Sequence, residues 1–101
     1  MATESKTSLV QAVWNGSIVA ESDETIVVEG NHYFPAKALK MEFFKQSPTT
    51  TTCNAKGIAN YYHIEVAGKK NTDAAWCYVN PKESAKRIAG YVAFWKGVKV
   101  S

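Results

Sequence analysis

The sequence predicts a small, mainly antiparallel β domain of two packed or folded sheets, with one short helix near its C-terminus at about 81–89. Three observations carry that expectation. Short runs rich in β-branched and aromatic residues recur along the chain, each cut off by glycine, asparagine or a polar cluster. Asn15-Gly16 stands between two of these runs, and Asn-Gly favours the left-handed geometry of a tight hairpin turn. Convincing helix signals gather in one place only.

Residues 1–8 are polar and read as a flexible N-terminus, leaving 9–101 as a single domain. LVQAVW and SIVAES flank Asn15-Gly16 as the first two strands. Residues 22–24 make a turn, TIVVE (25–29) is a β-branched strand, and Gly30-Asn31 breaks it. HYFP (32–35) leads into AKALK, one helical turn opened by Pro35 at its first position. MEFF (41–44) is a short strand or extended piece. QSPTTTT (46–52) is a polar loop, its threonines stiff and extended rather than helical. IANYYHIEV (58–66) alternates. Ile58, Asn60, Tyr62, Ile64 and Val66 share one face, the better core candidate; Ala59, Tyr61, His63 and Glu65 share the other. His63, beside the charged Glu65, reads as solvated. AGKKNTD is a turn, and AAWCYV (74–79) is a strand with Trp76 and Tyr78 on one face.

The helix follows. Asn80 suits the N-cap, Pro81 the first helical position, and Glu83 a capping box. Ala85, Ile88 and Ala89 form an inward stripe, Glu83 and Arg87 can pair at i, i+4, and Gly90 ends the helix. YVAFW (91–95) is a closing strand, and Lys96-Gly97 turns into VKV. No repeat is visible.

Bulk composition narrows the function. The 101 residues are enough for one domain, and 46% hydrophobic content supports a packed core. The net charge of +3 is mild, and eleven dispersed lysines with a single arginine, Arg87, look like an ordinary solvated surface. A nucleic-acid role would want clustered base and more arginine. No stretch approaches the roughly 20 apolar residues of a membrane span, and the N-terminus has no apolar run of signal-peptide length. A cytoplasmic location follows, where Cys53 and Cys77 are expected reduced rather than paired.

Four motifs occur in order: EGNHYFP (29–35); Cys53-x-x-Lys56-Gly57-x-Ala59-x-Tyr61-Tyr62; Asp73-Ala74-Ala75-Trp76-x-Tyr78-x-x-Pro81; and Ile88-x-Gly90-Tyr91-Val92-Ala93-Phe94. They resemble the domain-of-unknown-function family numbered 427, also labelled nucleotidyltransferase-like, over about Val13 to Lys99. The resemblance implies a small mainly-β domain similar in topology to the β-tent group, and no established activity. Asn54 and Ala55 stand where the family commonly has proline and an aromatic, and Cys77 where it often has an aromatic or small residue.

The residues themselves offer three chemistries. A structural zinc site wants close Cys or His pairs, and Cys53, Cys77, His32 and His63 form none, so no metal or other cofactor is expected. Cys53 is a candidate nucleophile or redox thiol, with Lys56 lowering its pKa and a histidine as base; the alternative is a small apolar residue packed at a strand entrance. Lys56 beside Gly57 can grip an anion, or be a surface lysine after a turn. No phosphate loop accompanies it, and nucleotidyl transfer relies on acidic metal ligands, whereas Asp23 and Asp73 both fall in turns. The leading expectation is a small domain that binds a small or anionic ligand in an aromatic-lined site of His32, Tyr33, Cys53, Lys56, Tyr61, Trp76 and Tyr78. The rivals are an enzyme using Cys53 or a nucleotidyltransferase-like activity, and a protein-interaction module presenting a sheet edge or aromatic patch.

Overall fold

The computed structural model describes residues 8–101. The flexible N-terminus expected over 1–8 therefore lies, but for Ser8, outside the described residues. The fold is mainly β and antiparallel, as the sequence predicts, with its strands divided among three sheets rather than two.

Strands β1 (Val10–Trp14) and β2 (Ser17–Ser22) form the expected hairpin. Asn15 (φ 50) and Gly16 (φ 80) both take the positive φ that such a turn demands. β3 (Ile26–Val28) and β4 (Asn31–Tyr33) form a second hairpin across Glu29 (φ 53) and Gly30 (φ 81). The largest sheet runs β5 (Phe44–Cys53), β6 (Gly57–Val66), β7 (Lys69–Cys77) and β8 (Val92–Phe94). β9 (Lys99–Val100) returns to β1, giving the order β2-β1-β9.

Four local expectations are corrected. Residues 46–52 are not a loop but most of β5, on the sheet edge. Threonine suits an extended backbone, and an edge strand tolerates Pro48, which falls where the ladder to β6 breaks between Gln46 and Thr50. The turn read over 67–73 shrinks to Ala67 and Gly68, both at positive φ, and the rest joins β7. Residues 41–43 of MEFF form a 3-10 turn before β5 begins. The segment read as a helix is a 3-10 run, Glu83–Ile88, kinked at Ala85. Asn80 does not cap it, and Lys86 rather than Arg87 approaches Glu83, at 3.7 Å. So short a run gains little from helix propagation. Its ends are also pinned from outside: the Lys82 N–H donates to the Lys56 carbonyl (2.8 Å) and the Gly90 N–H to the Tyr78 carbonyl (2.9 Å). Ala85 and Ile88 still point inward, and Ala89 is exposed.

The four-stranded sheet is covered on both faces. One face sends Ile64, Val66, Cys77 and Phe94 against Val10, Ala12 and Val19 of the first hairpin. The other sends Ala59, Tyr78 and Ala93 beneath Tyr33 and Ile88. The face of β6 expected to be the lesser one thus packs too. Ile58, on the better candidate face, stays exposed because it lies beyond the last pair with β7, Asn60 with Cys77. Tyr33 and Phe34, adjacent in sequence, enter opposite cores. Phe34 and Val92 exchange two N–H···O bonds of 2.8 Å, which ties the β3–β4 hairpin to β8.

His63 is not solvated. It meets the strained Asp73 (φ 55), whose backbone N–H donates to His63 Nδ1 at 3.0 Å. Ser47 donates to the Asp73 carboxylate at 2.6 Å, joining the irregularities of β5 and β7. The Ser47 hydroxyl, with help from Thr49 and His63, holds the Asp73 pKa below the ordinary carboxylate value. A depressed folded-state pKa gives stability that is present above the unfolded carboxylate pKa of about 4 and lost as pH falls from there through the lower folded value. The urea midpoint is therefore expected to fall between pH 7 and pH 3, less steeply in Asp73→Asn than in the wild type. Equal slopes would show that Asp73 makes no such contribution.

Candidate functional site

Between the β3–β4 hairpin and the second face of the large sheet lies a cavity of about 220 Å3. The sheet supplies Tyr61 from β6 and Trp76 and Tyr78 from the end of β7. The hairpin supplies Asn31 and Tyr33, which share one face of β4, and Glu29 from its turn. The β5–β6 turn brings Cys53 and Lys56, and Trp95 stands at the rim.

The walls brace one another. Tyr33 and Trp76 pack edge to face at 6.2 Å, and the Trp76 indole N–H donates to Tyr33 Oη at 3.3 Å. Trp95 meets Trp76 edge to face at 5.9 Å and donates its indole N–H to the Asp73 carbonyl at 2.6 Å. Such aromatic contacts add to what area burial alone gives and hold the rings in place.

The turn carrying Cys53 and Lys56 closes because Gly57 takes φ 114, a region reserved for glycine. A Cβ there would meet ordinary contacts, 3.6 Å to the Lys82 nitrogen at nearest, so the constraint is the torsion and not the space. Three carbonyls of the turn are held by the following segment. Asn54 accepts from Lys82 Nζ (2.7 Å), Ala55 from Ser84 Oγ (2.7 Å), and Lys56 from the Lys82 N–H (2.8 Å).

Lys56 dominates the electrostatics. Its Nζ lies 2.8 Å from Glu29 Oε1, and its side chain is 10% exposed against 71% for Glu29. The Glu29 hydrogen bond raises the Lys56 pKa, so the ammonium stays charged at neutral pH. Among the described residues Glu29 is its one acidic partner. Backbone N–H groups of Lys56 and Ala55, assisted by the Lys56 charge, hold the Cys53 thiol below its ordinary pKa. Burial pushes Tyr78 up to about 12, with Tyr33, Cys53 and Tyr61 nearby adding to it. Burial also raises Tyr33, against the Trp76 hydrogen bond. At neutral pH the cavity thus presents the Lys56 ammonium paired with the Glu29 carboxylate, the neutral phenols of Tyr33 and Tyr78, and a Cys53 thiol with increased thiolate character.

Six of the residues singled out from the sequence, Tyr33, Cys53, Lys56, Tyr61, Trp76 and Tyr78, surround this cavity; His32 does not. It points away from Tyr33, with Nδ1 2.8 Å from Thr25 Oγ1. His63 is bonded to the Asp73 backbone, so neither histidine is placed as a base for Cys53. Glu29, Asn31 and Trp95 escaped the sequence reading, although for Asn31 and Trp95 the signal existed. Asn31 shares one face of β4 with Tyr33, and Trp95 shares parity with Ala93, which pairs with Trp76; Glu29 sits in the turn, where strand parity does not place it. Cys77 lies on the opposite face, buried, its pKa raised by that burial. Neither Asp23 nor Asp73 lines the cavity, and among the described residues no three His, Cys, Asp or Glu side chains gather as a metal site. No helix among them is long and apolar enough to cross a membrane.

The chain belongs to the family described as a domain of unknown function (DUF427), which matches residues 2–101. No similar protein is found among the curated ones.

Proposed function

We propose that this member of the family is a binding domain for a small aromatic acid, its ring held among Tyr33, Tyr61 and Trp76 and its anion on Lys56. One observation carries the reading: a shielded ammonium at an aromatic-walled cavity, with Glu29 as its one acidic partner among the described residues. An ammonium has three donors, so an incoming anion finds N–H groups to meet. The volume of about 220 Å3 sets the size. A cavity of about 150 Å3 accommodates benzene, so one ring system fits here. A reducing compartment such as the cytosol suits the two free thiols.

A thermal-shift titration with benzoate and indole carboxylates tests it. Ligand that binds the native state alone raises the melting temperature with concentration. The rise is expected in the wild type and not in Lys56→Met. A blank across aromatic carboxylates and phosphates in the wild type would overturn the proposal.

A second reading rests on Cys53. Its lowered pKa and place in the cavity favour attack on an electrophile, with Lys56 as the neighbouring cation. Iodoacetamide is expected to alkylate Cys53 with a pH midpoint below the ~8.5 of a free thiol, while Cys77 stays unreactive. A midpoint at or above that value would remove this reading.

A further inference from the structure

The cavity has a neighbour. A second one, of about 210 Å3, lies beside the Glu29–Lys56 pair, and both residues line both cavities. Val28, Ala85 and Ile88 give it apolar sides, and Arg87 brings a second cation. Neither volume reaches the 300–1,000 Å3 usual for a small-molecule site, but the two together fall within that range.

Among the described residues Arg87 makes no side-chain hydrogen bond or ion pair. Among the described residues no carboxylate lies within 4.0 Å of it, and Glu83, its expected partner, faces Lys86 instead. A guanidinium presents a planar fork of donors that matches carboxylate or phosphate, and it is more weakly hydrated than an ammonium. Moving from the first cavity to the second, a ligand would leave aromatic walls, pass one shielded cation and reach another. That sequence of surfaces suits a ring, a short flexible tail and a terminal anion.

We infer that the two cavities are compartments of one site, whose ligand is an aromatic acid with its ring beside Trp76, its first anion on Lys56 and a tail ending in a second anion, phosphate or carboxylate, beside Arg87. The inference rests on the reading of the first cavity as an aromatic-acid site. Glu29 is the element that must yield. It is exposed, sits at a hairpin tip, and its carboxylate occupies Lys56 along the path of the tail.

Calorimetric titration of the full chain with benzoate, 2-(3-carboxypropyl)benzoate and 2-(3-phosphonooxypropyl)benzoate tests this, in the wild type, Arg87→Gln and Lys56→Met. Arg87 is exposed and outside the first cavity, so its variant keeps the fold and the ring site. One long-tailed probe is expected to bind at least roughly ten-fold tighter than benzoate, the scale of one charge-assisted hydrogen bond. Arg87→Gln should erase that gain and leave benzoate affinity unchanged. Which long probe gains more identifies the terminal anion. If benzoate binds through Lys56 while Arg87→Gln leaves the long probes unaffected, the second cavity is not part of the site. If benzoate itself fails to bind, the reading of the first cavity falls and this inference with it.

Discussion

Replacing Phe34 by alanine is expected to cost about 3–5 kcal/mol of folding stability, read as a lowered urea midpoint with little change in slope. Phe34 is fully buried, with its ring edge to face against Phe94 at 5.4 Å. It also sits where the β3–β4 hairpin joins β8, through the paired backbone bonds to Val92. Removing the ring leaves a cavity at the seam between two layers, and the backbone pairing resists the collapse that would fill it. Against a total of about 5–15 kcal/mol for a domain, a loss of this size leaves many molecules unfolded on mild warming. Phe34→Leu keeps most of the volume and is expected to cost less than half as much. The hairpin bears Glu29, Asn31 and Tyr33, so ligand responses should weaken in step with stability in this pair of variants. A cost below about 1 kcal/mol for the alanine variant would mean that Phe34 is not the anchor the layered architecture requires.

How much of this was legible in the sequence depends on the range of the interaction concerned. Asn15-Gly16 acts over two residues, and the hairpin it predicts forms. Alternation acts over a strand, and it correctly groups Tyr62, Ile64 and Val66, and Trp76 with Tyr78. It does not say that the opposite face of β6 is also covered, because the covering hairpin arrives from residues 26–33. The same rule was enough to exclude His32 once Tyr33 was chosen, since neighbours in a strand face opposite ways. The helix signals at 80–83 lost to tertiary anchors, the bonds that Lys82 and Gly90 make to Lys56 and Tyr78. The threonine run read as a loop because an edge strand with both sides wet need not look apolar. The Glu29–Lys56 pair joins residues 27 apart through the docking of a hairpin, and no local pattern announces it.

Lys56→Met is expected to lower the affinity for an aromatic acid by about 10–100-fold while leaving stability within about 1 kcal/mol of wild type. Methionine keeps an unbranched stem of similar length, so the packing around the turn is retained. The charge it removes was shielded, which carried a desolvation cost, and its partner Glu29 is left in water rather than stranded. Glu29→Gln should do the reverse. It deprives the ammonium of its carboxylate and costs up to about 1 kcal/mol, since Glu29 is largely in water, yet it frees donors for a ligand and tightens binding. The two variants therefore move affinity in opposite directions at a small cost in stability, as fluorescence titration and urea denaturation on the same samples would show. Because the Lys56 pKa is raised, the cation persists through neutral pH, and affinity should fall with rising pH as the neighbouring Cys53 thiol, its pKa lowered, becomes a thiolate. A pair with a purely structural role would give another pattern: both variants would lose stability by similar amounts, and neither would change the response to any anion.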